Sequence, residues 1–191
     1  NKMTDPLVFA QDNDLVVKIQ VLDVDMVNAI TLPGGRILVF RGLIDKADHP
    51  NELAGVIGHE IGHVVARHSM EGFISSTAIT GLISLLVGDA TGGIVLAGSL
   101  DMAINSVNSR EAEREADSYA VAVMEELNLD TKPLVTMFAK LGEIGPDLGV
   151  IDWISSHPGI EERIDSIKKS APKSGRSLNP KDWAALKNIC G

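Results

Sequence analysis

The 191 residues carry 26 acidic and 17 basic side chains, a formal net charge of -9, and a single cysteine, Cys190, beside the last residue. That balance excludes a non-specific nucleic-acid binder, whose affinity comes from Lys and Arg set against phosphates. One cysteine excludes an internal disulfide framework, and the length suits one domain with a sizeable core.

Residues 15–23 (LVVKIQVLD) are rich in β-branched side chains, and NAITL, Pro33-Gly34-Gly35 and RILVFRGLI read as two strands about a tight turn. The expectation is a small, mainly antiparallel sheet with one face or edge accessible. After Asp48-His49-Pro50 the period changes. Leu53, Val56, Ile57, Ile61, Val64 and Val65 form an apolar helical stripe starting near Asn51, with Asp48 as its cap and Glu52 favourably set against the helix dipole. Residues 72–88 hold no formal charge, and no Lys or Arg occurs between His68 and Arg110. Interruptions by Ser, Thr and Gly and the stop at Asp89 point to a packed helical hairpin, with a membrane-touching lid as the alternative, rather than to a spanning pair. Helices are expected over 109–127, 133–141 and 158–168. Residues 169–180 read as a loop and 181–191 as a tail helix, all within one domain covering 1–191.

The chemistry concentrates in His59-Glu60-x-x-His63. Residues four apart on a helix share a face, so both imidazoles can reach one metal ion while Glu60 approaches a water there without occupying the metal. Gly58 and Gly62 each cost the helix roughly 1 kcal/mol relative to Ala, and such small positions permit another element to come close. A catalytic zinc takes three protein ligands and keeps a fourth position open. The third is sought in SREAEREAD, residues 109–117, where Glu113 and Asp117 share a face with the small Ala116 between them. Spacing leaves open which of the two binds metal and which accepts the outer N–H of a ligand histidine. Glu111 and Glu115 face elsewhere. His49 and His68 fall off the metal face, and Arg110 and Arg163 are read as structural or substrate-orienting cations paired with acidic residues of the same region, at the surface by default. Nitrogen and carboxylate donors suit zinc, one ion per chain.

Asn28-Ala29, Pro33-Gly34-Gly35, Arg41-Gly42-Leu43, His59 to His63, Ser109-Arg110 with Glu113 and Ala116-Asp117, and Ser156-His157-Pro158 with Glu162-Arg163-Ile164 occur here in one order. In these motifs the chain resembles the zinc metallopeptidase family of HtpX-like and CAAX prenyl endopeptidase-like proteins, and within it the soluble Oma/BepA-like branch. The resemblance implies an α+β, zincin-like (gluzincin) domain with a small sheet on a mostly helical body. It implies Glu113 as third zinc ligand, Asp117 as the partner of a ligand histidine, and His157 near the zinc cleft, as an oxyanion donor or as occupant of the open metal position. It also implies a bacterial cell-envelope setting, periplasmic or membrane-associated, with any targeting segment lying outside this chain.

The reaction expected is hydrolysis of internal peptide bonds in unfolded or membrane-proximal proteins, with Glu60 as general base. The strand edge at Asn28, Ala29 and Ile30 would align an extended polypeptide by backbone pairing. A membrane-proximal partner is compatible with the basic-free segment, and oligomeric state is left open. The alternative is a zinc-containing chaperone or assembly factor with latent protease activity, which a metal site closed by His157 would favour.

Overall fold

The computed structural model describes residues 16–68, 110–144, 153–170 and 173–190. The hairpin expected over 72–100 therefore lies outside the described residues. No helix among those described is long and apolar enough to cross a membrane.

Three strands form one sheet: β1 (Lys18–Leu22), β2 (Ala29–Leu32) and β3 (Arg36–Phe40), in the order β1-β3-β2. β2 and β3 make the expected antiparallel hairpin, turning through Gly34 and Gly35 at φ +82° and +73°, a region open to glycine and strained for other residues. β1 pairs with β3 in parallel, Lys18 opposite Arg36 and Leu22 opposite Phe40, so the sheet is mixed rather than mainly antiparallel. β3 takes the centre, consistent with its near-continuous apolar run Ile37-Leu38-Val39-Phe40, all buried.

The run does not continue as strand. Arg41–Lys46 is a helix, α1, where sequence reading extended the strand through Ile44. An unbroken apolar run cannot distinguish strand from helix by periodicity. Here long-range contacts decide: Arg41 reaches both Asp23 (2.6 Å) and, one helical turn on, Asp45 (2.7 Å), while the Gly42 N–H donates to the Val24 carbonyl.

α2 (Pro50–Val65) is the central helix, with Pro50 in its first turn. Its cap is His49, whose Nδ1 accepts from the Asn51 N–H at 3.1 Å. Asp48, expected in that role, pairs instead with Lys140 (2.7 Å), which also holds Glu52 at 2.8 Å. α3 (Arg110–Glu126), α4 (Lys132–Gly142), the short α5 (Trp153–Ser156), α6 (Ile160–Ile167) and α7 (Pro180–Lys187) complete the described helices. α2 packs against β2, α3 and α4. One apolar cluster joins the sheet (Ala29, Ile37, Val39) to α2 (Leu53, Val56, Ile57, Ile61), α3 (Ala120, Val123, Met124) and α4 (Leu134, Met137, Phe138, Leu141).

The α2–α3 contact runs small face to small face. A methyl group built at Gly62 would sit 2.8 Å from the Ala116 Cα and 2.9 Å from its carbonyl oxygen, whereas one at Gly58 would meet Ala120 at 3.4 Å. Gly62→Ala must therefore part the two helices, an overpacking cost of about 1–3 kcal/mol that also separates the side chains they share. Gly58→Ala should be neutral or slightly stabilising, because helix propensity favours Ala by about 1 kcal/mol. Thermal unfolding of the pair, with bound zinc measured on each, checks the contrast; equal behaviour would mean that the close approach at Gly62 is not limiting.

Candidate metal centre

Helical spacing places His59 and His63 on the face of α2 that meets α3, and the close approach at Gly62 and Ala116 brings Glu113 and Asp117 up to them. His59 is fully buried, its two ring nitrogens on separate tasks. Nδ1 lies 2.8 Å from Asp117 Oδ1, while Nε2 lies 3.0 Å from His63 Nε2 and 3.4 Å from Glu113 Oε2. His63 Nε2 is 3.2 Å from Glu113 Oε1. His157 enters from the turn after α5, with Nδ1 3.2 Å from His59 Nε2 and 3.1 Å from Glu113 Oε2. Trp153 stacks on its ring at 3.9 Å between centroids. His59, His63, Glu113 and His157 thus present one donor atom each within 4.8 Å of one another, all four buried.

This donor set fits zinc. Tetrahedral zinc with bonds near 2.0–2.1 Å separates its ligand atoms by about 3.3–3.4 Å. Counting either oxygen of Glu113, His59 Nε2 lies 3.0–3.4 Å from His63, His157 and Glu113, and Glu113 lies 3.1–3.2 Å from His157 and His63, while the full set of one atom per residue lies within 4.8 Å. Glu60, 1% exposed, lies against the cluster with its two oxygens used differently. Oε2 accepts from the Thr31 hydroxyl at 2.6 Å, whereas Oε1 has no hydrogen-bond partner among the described residues and stands 3.4 Å from His157 Nε2. A buried carboxylate oxygen left open toward a metal-binding cluster is placed to take a proton from a water molecule there.

The electrostatics follow from burial and pairing. Burial disfavours the His59 cation, yet contacts with Asp117 and Glu113 outweigh it and push the pKa up to about 9. Burial, with His59 beside it, pushes His63 down to about 4. Burial opposes ionisation of Glu113 and Asp117, but both carboxyls are held below the usual range, Glu113 by His157 and His59, Asp117 by Arg163 and His59. The cluster thus favours charged carboxylates beside competing imidazoles, an environment suited to a cation.

Arg163 pairs with acidic residues, as expected, but not at the surface. It is 2% exposed rather than surface-paired, with Nε and Nη2 donating to the two Asp117 oxygens at 2.7 and 2.9 Å and Nη1 2.7 Å from Glu113 Oε2. Its guanidinium carbon lies 4.5 Å from the centre of the Phe138 ring. Arg110 behaves as expected, an exposed partner of Glu162 at 3.5 Å. His68, read as off the metal face, reaches His63 Nδ1 at 3.0 Å, and Glu115, read as facing elsewhere, stands 3.3 Å from His68. Thr31, Trp153 and Phe138 carried no signal of a role in the sequence.

At the predicted strand edge, Asn28 and Ala29 are buried and Ile30 is half-buried. β2 lies outermost in the sheet order. The Phe40 N–H donates to the Asn28 carbonyl, so antiparallel alternation turns the Ala29 and Thr31 peptide groups to the other edge. There the Ala29 N–H is taken by its neighbour Asn28 Oδ1 at 2.8 Å, which a peptide pairing at that point would have to displace.

The profile describing peptidase family M48 matches residues 4–171 of the chain. The chain belongs to peptidase family M48. Zinc is the cofactor of M48 metalloproteases, in agreement with the donor set. The chain is 35% identical to the mitochondrial metalloendopeptidase OMA1 of Arabidopsis thaliana, over 76% of this chain and 30% of that protein. It is 32% identical to metalloprotease YcaL of Escherichia coli, over 74% of this chain and 57% of that one. A candidate beta-barrel assembly-enhancing protease from Vibrio cholerae is 31% identical, over 76% of this chain and 32% of its own length. The match to this M48 chain therefore spans less than two thirds of each relative.

Proposed function

We propose that the chain is a zinc-dependent endopeptidase of zincin-like (gluzincin) architecture, acting on extended segments of unfolded or membrane-proximal polypeptides. The observation that carries this reading is Glu60, a buried carboxylate with one oxygen held by Thr31 and the other open toward the four convergent donors. His59, His63 and Glu113 hold the metal, and Asp117 fixes His59 with its Nε2 inward. Zinc held by these residues would supply a Lewis acid for a scissile carbonyl and for a water molecule. Glu60 Oε1 takes the proton from the attacking water and passes it to the departing amine as the C–N bond breaks. The outer edge of β2, from Asn28 to Ile30, aligns the peptide backbone. Relatives named as a metalloendopeptidase and a metalloprotease support the activity, and one named for beta-barrel assembly supports an envelope setting in protein quality control.

His157 supports a further feature of the same reading. It stands among the donors, so it would hold a bound metal from the fourth side, and turnover would then require the imidazole to withdraw. That closure is also what a zinc-containing assembly factor would show. The two readings separate in one assay: cleavage of an unfolded protein by zinc-loaded wild type, chelated wild type, reloaded wild type and zinc-loaded His157→Ala. The protease reading expects cleavage that chelation abolishes and zinc restores, with faster turnover in His157→Ala. If zinc-loaded wild type and His157→Ala both leave the substrate intact, the assembly-factor reading prevails.

A further inference from the structure

We infer that His68 is a positioning residue for the metal centre, holding the outer side of the His63 ring while Glu115 holds His68 in turn. The inference rests on the reading that His63 ligates zinc.

In a continuing helix, a residue five positions after His63 would point about 140° away from it. The chain does not continue. The Ala66 and Arg67 N–H groups close the helix on the Gly62 and Val64 carbonyls, and Arg67 adopts φ +60°. A non-glycine residue in this left-handed region costs roughly 1 kcal/mol or more, and the turn it makes brings His68 back beside His63. The two rings then meet edge on, centroids 5.2 Å apart and planes at 69°, with Nδ1 facing Nδ1 at 3.0 Å. On its far side, His68 Nε2 faces Glu115 Oε2 at 3.3 Å, from the helix that also carries Glu113.

One arrangement of protons satisfies every contact. His63 Nε2 points into the donor cluster and must present a lone pair to a metal, so its proton sits on Nδ1. His63 Nδ1–H then donates to His68 Nδ1, and His68 carries its own proton on Nε2, facing the Glu115 carboxylate. His59 is treated in the same way, except that Asp117 accepts directly from its Nδ1. Each α2 histidine thus has its inward nitrogen selected by a carboxylate of α3, one directly and one through an intervening imidazole. Such outer partners orient ligand rings and raise their basicity. The Glu115 side chain is 65% exposed and that of Asp117 only 5%, so the His63 arm is the weaker of the two.

The test measures zinc affinity by competition with a chelator of known strength, on the whole 191-residue chain as wild type, His68→Phe, His68→Asn and Glu115→Ala, with the visible spectrum of each cobalt-loaded protein as a second readout. Asn retains an acceptor near the position of Nδ1 and Phe retains only bulk. His68→Phe should lose zinc affinity by about 10- to 100-fold and alter the cobalt bands, with His68→Asn recovering to within about threefold of wild type and Glu115→Ala falling slightly. Wild-type affinity in His68→Phe would overturn the inference, as would equal losses in Phe and Asn, which would mark a packing role. A wild type that binds no zinc would overturn the underlying reading of His63, and this inference with it.

Discussion

Glu60→Gln is expected to keep its zinc and lose its activity, with kcat lower by about 10²- to 10⁴-fold, the usual contribution of a positioned general base. The substitution is nearly isosteric. The Gln amide oxygen can still accept from the Thr31 hydroxyl, which holds Glu60 Oε2 at 2.6 Å, so the side chain stays where it is. At the other terminus an NH₂ group replaces Oε1, the oxygen that faces the cluster without a hydrogen-bond partner among the described residues. It can neither accept a proton nor carry charge. Because Glu60 is 1% exposed, removing the carboxylate also relieves a desolvation cost, so the melting temperature should hold or rise. Three measurements on one preparation decide the matter: zinc per chain, melting temperature and turnover of an unfolded substrate. Full zinc with turnover at the wild-type rate would remove Glu60 from the chemistry. Lost zinc with lost turnover would make it a structural support of the donor cluster.

The features legible in the sequence are those set by local period. The apolar stripe located α2 to within a residue of its start, and the four-residue spacings placed His59 with His63 and Glu113 with Asp117 on common faces. The small residues on both helices foretold the close approach now seen between Gly62 and Ala116. None of these needs knowledge of what the chain does after it leaves the helix.

The remainder depended on distant returns of the chain. Arg163 sits among charged residues in EERID, where a solvated face is the natural reading, and only the packing of α6 on α3 and α4 buries it. Its appearance in a family-like motif was the one available signal. His68 stays off the donor cluster, as its position suggests, but its contact with the outer nitrogen of His63 was not legible, because Arg67 is not a residue type that announces a left-handed turn. The strand reading of residues 41–44 failed for a related reason: Arg41 chose its partners from the β1–β2 loop and from Asp45, contacts that apolar patterning does not encode.

The largest stability effect should come from Arg163→Met. The guanidinium answers two buried carboxylates at once, Asp117 through two hydrogen bonds and Glu113 at 2.7 Å, and Met replaces its bulk without its charge. Taking one partner from a buried ion pair typically costs about 3–5 kcal/mol, because the remaining charge is stranded. For a chain of this size that lowers the melting temperature by on the order of 10 °C. Arg163→Lys should recover only part of the loss, since an ammonium cannot reproduce the two-pronged contact with Asp117. Adding Asp117→Asn to Arg163→Met should recover part of the loss, because the Asp117 charge is then gone while Glu113 keeps only its histidine contacts. The effect also has a definite pH sign. Burial works against the Asp117 carboxylate, but Arg163 and His59 hold its pKa below the ordinary 3.8, so the pair's contribution is present above that value and is lost as pH falls through the depressed one. The gap between wild type and Arg163→Met should therefore narrow in acid below about pH 4. Urea unfolding of the four proteins in chelator, at neutral pH and in acid, tests both points. Additive losses in the double variant would mean that Arg163 and Asp117 act independently, and a gap that widens in acid would reverse the assigned direction of the coupling.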